Sequence, residues 1–172
     1  MSELTAARLR EIVSYDADTG IFRWAAPRRK IRVGAVAGTL SKRGYIDLCI
    51  DCRVYKAHRL AWLYVYGEWP AGLIDHVNGD KADNRLANLR PADKSQNGAN
   101  RIRPEPRNTS GYRNIRRHGQ GWEVRFKVRG KGVSRWGFPS LAEALAYRDE
   151  AGPRYFGEFY SKPEEKQVSA GI

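Results

Sequence analysis

The chain has 172 residues, with 31 Lys and Arg against 19 Asp and Glu for a net charge of +12, and 41% of it is hydrophobic. That length accommodates one ordinary domain or two small ones, and the apolar content excludes a disordered polyelectrolyte. No run is apolar enough to span a membrane, and MSELTAARLREIV has no basic segment leading into an apolar stretch, so neither a span nor a secretory signal is expected and a cytoplasmic location follows.

Leu4, Ala7, Leu9, Ile12 and Val13 share one face of a short amphipathic helix, which Asp16, Asp18 and Gly20 break into a turn. Sheet is expected next, in the short β-type runs Ile21 to Trp24, Val33 to Gly38, Tyr45 to Ile50 and Val54 to Ala57, punctuated by Gly34, Gly38 and Gly44. Lys30, Arg32, Lys42 and Arg43 fall in or beside the connections, placed either to meet a nucleic-acid backbone or simply to solvate loop tips. Cys49 and Cys52 form a lone C-x-x-C with no second pair and no His at finger spacing, so a structural zinc site would lack ligands and both read as structural thiols.

From His58 the pattern changes to a helix, HRLAWLYVYGEW, with Leu60, Ala61, Leu63, Tyr64 and Tyr66 toward a core and Gly67 and Pro70 ending it. His58 reads as a residue that caps or packs the start of that helix. Leu73 to Val77 predicts a strand, Asn78-Gly79-Asp80 a turn, Arg85 to Arg90 a return segment, and Ala92 to Arg101 a helix capped by Asp93. Asn100 to Gly111 carries two prolines and no apolar period, the mark of a linker.

Beyond it, Trp122, Val124, Phe126 and Val128 alternate with Glu123, Arg125, Lys127 and Arg129, so a strand packs one face inward and keeps the other polar. Arg113, Arg116, Arg117, Arg125, Lys127, Arg129, Lys131 and Arg135 stand there against the single acid Glu123, a density that favours a nucleic-acid surface over plain solvation. Gly130-Lys131-Gly132 turns the chain back through Val133 to Gly137. Ser140 then starts a helix, with Glu143 three residues on, and Leu141, Ala144, Leu145 and Ala151 are set to cover the sheet. Trp122 and Trp136 are expected to pack under this helix, and Gly152-Pro153 to stop it.

The chemistry concentrates in Ile74-Asp75-His76-Val77-Asn78-Gly79-Asp80, leading on to Asn84, Asn88 and Asn97. Phosphodiester hydrolysis needs a nucleophilic water, charge relief at the phosphate and help for the departing oxygen. A neutral His takes a proton from water, and carboxylate and amide oxygens are hard ligands suited to Mg²⁺ or Mn²⁺. Asp75 and His76 are adjacent on a strand and point to opposite sides, so ligand and base approach a phosphate from different directions. With no second His or thiolate at matching spacing, His76 is not a zinc ligand; Asn84 reads as a turn residue.

The string HRLAWLYVYGEWPAGLIDHVNGDKADNRLANLRPADKSQN, His58 to Asn97, resembles the HNH nuclease module of phage homing endonucleases and their free-standing relatives, a likeness that extends over roughly residues 1–100. The resemblance implies the ββα-metal fold, His76 as general base, Asp75 and Asn97 as ligands of one divalent cation, Mg²⁺ or Mn²⁺, and Asn88 as the central Asn that ties the loop between the two strands. Asn97 stands where the third letter of the family's name has His, a variant of the phage branch. SGYRNIRRHGQGWEVRFKVRGKGVSRWGFPSLAEALAYRDEAGPRYFGEFY, Ser110 to about Tyr160, resembles the ethylene-response-factor type of DNA-binding domain. That likeness implies a three-stranded antiparallel sheet for the major groove, backed by one helix, with Arg113, Arg116, Arg125, Lys127 and Arg135 matching the DNA-contact pattern.

The expected chain is therefore α+β: an N-terminal β-rich region (1–57), a nuclease module (58–103), a linker (104–111), a DNA-binding domain (112–160) and a disordered tail (161–172). The expected activity is metal-dependent cleavage of one strand of double-stranded DNA by a monomer, in the cytoplasm of a bacterial or phage-infected cell. The rival readings are a non-catalytic, sequence-specific DNA-binding protein on a degenerate HNH scaffold, and an RNA-binding protein, for which the single-strand stacking signature is missing.

Overall fold

The computed structural model describes residues 3–27, 30–100, 108 and 110–162. All but Asn108, Ser110 and Gly111 of the expected linker, and all but Ser161 and Lys162 of the expected tail, lie outside the described residues. The chain is mixed α+β, with small antiparallel sheets and, among the described residues, four α-helices. It packs as two compact units, Met1–Ala92 and Asp93–Ile172.

The first unit opens on α1 (Ala6–Ile12), whose N-cap Thr5 accepts a hydrogen bond from the Arg8 amide. It buries Ala6, Leu9 and Ile12, so the inward alanine is Ala6 and not Ala7, which is exposed. β1 (Val13–Tyr15), β2 (Phe22–Trp24) and β3 (Val36–Ala37) form one antiparallel sheet; β4 (Thr39–Leu40), β5 (Ile46–Ile50) and β6 (Arg53–Lys56) form another. Strands β1 and β4 are too short to announce themselves by alternation. Asp51 and Cys52, with φ of 47° and 63°, make the two-residue turn from β5 to β6, whose mirror-image geometry matches the strand twist. Cys49 and Cys52 are both exposed.

Helix α2 (Ala57–Tyr66) buries Ala57, His58, Leu60, Ala61 and Leu63. Tyr66 was expected inside and is 53% exposed, because it ends the helix one residue before Gly67 turns left-handed. β7 (Leu73–His76) pairs antiparallel with β8 (Leu89–Ala92), His76 opposite Leu89. The return strand starts later than Arg85, since Leu86–Asn88 coils into a 3₁₀ turn first. Leu9, Val13, Phe22, Leu48, Ile50, Leu60, Leu63, Ile74 and Leu89 all belong to one core, so the hairpin is seated on the same interior as the N-terminal sheets.

The second unit begins with α3 (Lys94–Ala99), held at its start by a reciprocal capping box between Asp93 and Gln96. β9 (Ile115–His118), β10 (Gly121–Val128) and β11 (Lys131–Phe138) form a sheet in the order β11-β10-β9, and α4 (Leu141–Phe156) packs on it through Ala144 and Ala151 against Ile115, Val124 and Phe126. Two contacts fasten α3 to this unit. Ser95 Oγ donates to Lys127 O at 3.0 Å and accepts from Arg129 N at 2.9 Å, and the Arg113 guanidinium donates to Gly98 O at 2.5 Å and Ala99 O at 2.8 Å, as a cation at a helix C-terminus does.

Gly152-Pro153 does not stop α4, which continues to Phe156 with Pro153 inside it. Phe156 packs on the core and Tyr160 folds back on Gly152, where a β-carbon would lie 2.2 Å from the Tyr160 ring. Burial of two aromatic rings outweighs the single backbone hydrogen bond that Pro153 removes.

Candidate functional site

The site is built around His76 at the end of β7, buried at 5% exposure. Its Nε2 lies 3.4 Å from Oδ1 of Asn84. Asn84 is oriented by its other amide atom, since Nδ2 donates to Ala82 O at 2.9 Å, which leaves the carbonyl oxygen toward the imidazole. A carbonyl oxygen only accepts, so Nε2 carries the proton and the lone pair of the neutral ring falls on Nδ1. Burial holds the His76 pKa below its ordinary value, and the Asn84 bond opposes that shift. Asn84 itself, 2% exposed, is fixed from upstream: Tyr15 Oη donates to its carbonyl at 2.7 Å, Leu86 N donates to Ala17 O at 2.9 Å, and Gly20 approaches so closely that a β-carbon there would sit 2.4 Å from Arg85 N.

Asn88 spans the loop between the two strands. Its Oδ1 accepts from Asn78 N at 3.0 Å and its Nδ2 donates to Asp83 O at 2.8 Å. Asp83 accepts from Asn78 Nδ2 at 2.8 Å and is paired with Arg85, which holds its carboxyl down at about 2. Asp75, one residue before His76 and 4% exposed, receives Arg90 Nε and Nη2 on Oδ2, both at 3.0 Å. Cross-strand registration makes that pair, since Asp75 stands opposite Arg90.

His58 on α2 meets His76 edge to face, ring centroids 5.0 Å apart, and Tyr45 lies against both at 5.4 and 6.1 Å. Lys56 and Lys81 place ammonium groups 5.3 and 5.0 Å from the Tyr45 ring. Sequence reasoning set aside Asn84 as a turn residue and His58 as a helix-start residue; contacts made across 8 and 18 positions of chain leave no periodic signal. Of the expected site residues, Asp75, His76 and Asn88 lie together on the hairpin, while Asn97, half-buried on α3, belongs to the second unit.

The basic residues of the second unit divide by face. Residues paired across antiparallel strands share a side. Arg116, Glu123 and Trp136 are one such row and Arg125 with Ser134 another, so Arg116, Arg125 and Lys127 lie on the face away from α4. Arg116 is bound to Glu123 at 2.5 Å, whereas Arg125 and Lys127 are exposed. Arg135 is paired with Val124 and lies on the helix side, its guanidinium 4.7 Å from the Tyr147 ring, and Arg113 holds α3. Trp136, expected under the helix, is 69% exposed on the outer face, where a bulge at Gly137 (φ 92°) sets its register, with the His118 ring tilted against it at 5.9 Å. Trp122 does pack against the core.

Among the described residues no group of three or more His, Cys, Asp and Glu could hold a metal ion, and no helix is long and apolar enough to cross a membrane. The donors at hand fit a different class of site: one carboxylate and amide oxygens suit a single hard cation that keeps most of its shell for water and phosphate. Residues 55–99 match a family model described as HNH endonuclease. No curated protein and no solved structure matches the chain.

Proposed function

We propose that the chain is a metal-dependent HNH-type DNA endonuclease that nicks one strand as a monomer, at preferred sites. The observation that carries this reading is the buried His76, its Nε2 3.4 Å from Asn84 Oδ1 and its pKa lowered by burial, inside the segment that matches the nuclease model. His76 Nδ1 takes a proton from the attacking water, and the phosphodiester bond to the 3′ oxygen breaks as that water's oxygen joins phosphorus. Asn84 keeps the imidazole in the productive tautomer, and Asn88 keeps the loop from Asn78 to Asp83 closed over the strand end. Asp75 and Asn97 are the residues that would hold one Mg²⁺ or Mn²⁺, which when bound supplies charge relief at the phosphate and the leaving oxygen. Arg90 orients Asp75 and balances its charge.

The second unit grips double-stranded DNA through the face that carries Arg116, Arg125, Lys127 and Trp136, whereas Arg135 on the helix side and Arg113 bound to α3 lie off that face. Supercoiled plasmid incubated with Mg²⁺, Mn²⁺ or EDTA tests the reading. Conversion to the open circle with either cation and none in EDTA is the expected result. No conversion under any of these conditions leaves the chain a DNA-binding protein without cleavage.

A further inference from the structure

His58 has no part in the reaction just described, yet it is a polar residue where an apolar one would serve the helix equally well. It is 8% exposed at the start of α2, and its Nδ1 is buried with no hydrogen-bond partner among the described residues. Leaving a buried donor or acceptor unmatched forfeits its hydration with nothing in return, a penalty that Phe or Leu at the same place would not incur. The ring also sits edge to face against His76, with Tyr45 covering both.

We infer that His58 is a positioning residue of the nuclease centre, whose Nδ1 binds a solvent oxygen beside His76 and so holds both the imidazole plane and the water that His76 deprotonates. Burial drives the His58 pKa down to about 3, with the neighbouring His76, Arg59 and Lys56 charges adding to it, so the ring is neutral under ordinary conditions. A neutral imidazole offers one directed hydrogen bond and no charge, which suits water better than a phosphate anion. The orphan atom and the ring contact thus have one explanation. The inference rests on the endonuclease reading.

The test compares His58→Phe, His58→Asn and His58→Gln with the parent and with His76→Ala in plasmid nicking, with kcat and KM separated and melting temperatures recorded. Asn places a polar atom near the Nδ1 position and Gln near Nε2. His58→Phe is expected to melt near the parent, to lose about ten-fold in kcat and to keep its KM; His58→Asn should recover most of the rate and His58→Gln should not. Parent-like kcat in His58→Phe overturns the inference, as does equal activity of the Asn and Gln variants, a comparison that stands even if the Phe variant folds poorly. A parent protein that does not nick at all defeats the endonuclease reading instead.

Discussion

Two imidazoles buried side by side give the protein a pH dependence of definite sign. The folded pKa of His58 lies near 3, below its unfolded value near 6.5, so the unfolded chain binds the extra proton between those limits. Its contribution to stability is complete above about pH 6.5 and is lost as pH falls toward 3, by up to about 1.4 kcal/mol per pH unit. Thermal melts from pH 7 to 4 should therefore fall steeply in the parent and less steeply in His58→Phe, which has nothing to protonate at that position; parallel curves would contradict this. Replacing His76 by Ala should lower cleavage by roughly 10²–10⁴-fold while DNA binding stays nearly unchanged, because a positioned base acts on rate and little on affinity. Arg90→Met leaves the carboxylate of Asp75 buried without its guanidinium, and urea unfolding should show a loss of about 3–5 kcal/mol. At this scale the sequence displays His76 and Asn88 through their place in a spaced motif, whereas Asn84 and His58 acquire meaning only when distant segments meet.

Elements were legible in proportion to their length. α2, β10 and α4 carry enough periods for the apolar positions to stand out, and they form near the expected residues. Strands of two or three residues hold at most one alternation, which is why β1 and β4 were not visible, while the return strand β8 was drawn too early because Leu86–Asn88 coils into a 3₁₀ turn before it. The end of α4 was misplaced for a different reason: local helix-breaking chemistry at Gly152-Pro153 is overridden by packing of Phe156 and Tyr160. That override predicts a change of sign. Gly to Ala inside a helix ordinarily stabilises by about 1 kcal/mol, but Gly152→Ala should destabilise here by forcing the Tyr160 ring aside, and should become stabilising when Tyr160 is already Ala. Denaturant midpoints of the two single variants and the double variant measure it, and a stabilising Gly152→Ala in the parent background would refute it.

For the whole molecule, the +12 charge says that polyanions are attracted but not which charges do the attracting. The faces of the second sheet narrow the choice. Arg125 and Lys127 are exposed on the outer side, Arg116 is neutralised by Glu123, and Arg135 stacks on Tyr147 of α4. Changing Arg125 and Lys127 to Ala should lower the log–log salt slope of DNA binding by about 1.8, at about 0.9 for each phosphate contact. Arg135→Ala should leave that slope near the parent's and lower the melting temperature. Binding titrations at several salt concentrations decide between them, and an unchanged slope in the double variant would move the DNA contact off this face.

The bare backbone at Gly20 also limits how such a gene can be recombined. The motif that carries His76 looks portable when read as a string, yet Asn84 takes its position from a turn more than sixty residues upstream, where Gly20 leaves no room for one additional carbon beside Asn84 and Arg85. A crossover falling between the two would pair the histidine with a stranger's turn, and any residue other than glycine arriving at that place would push the asparagine away from the ring it orients. The heritable unit is thus longer than the motif, and swaps that keep Tyr15 to Gly20 with the hairpin are the ones whose offspring should retain a working site.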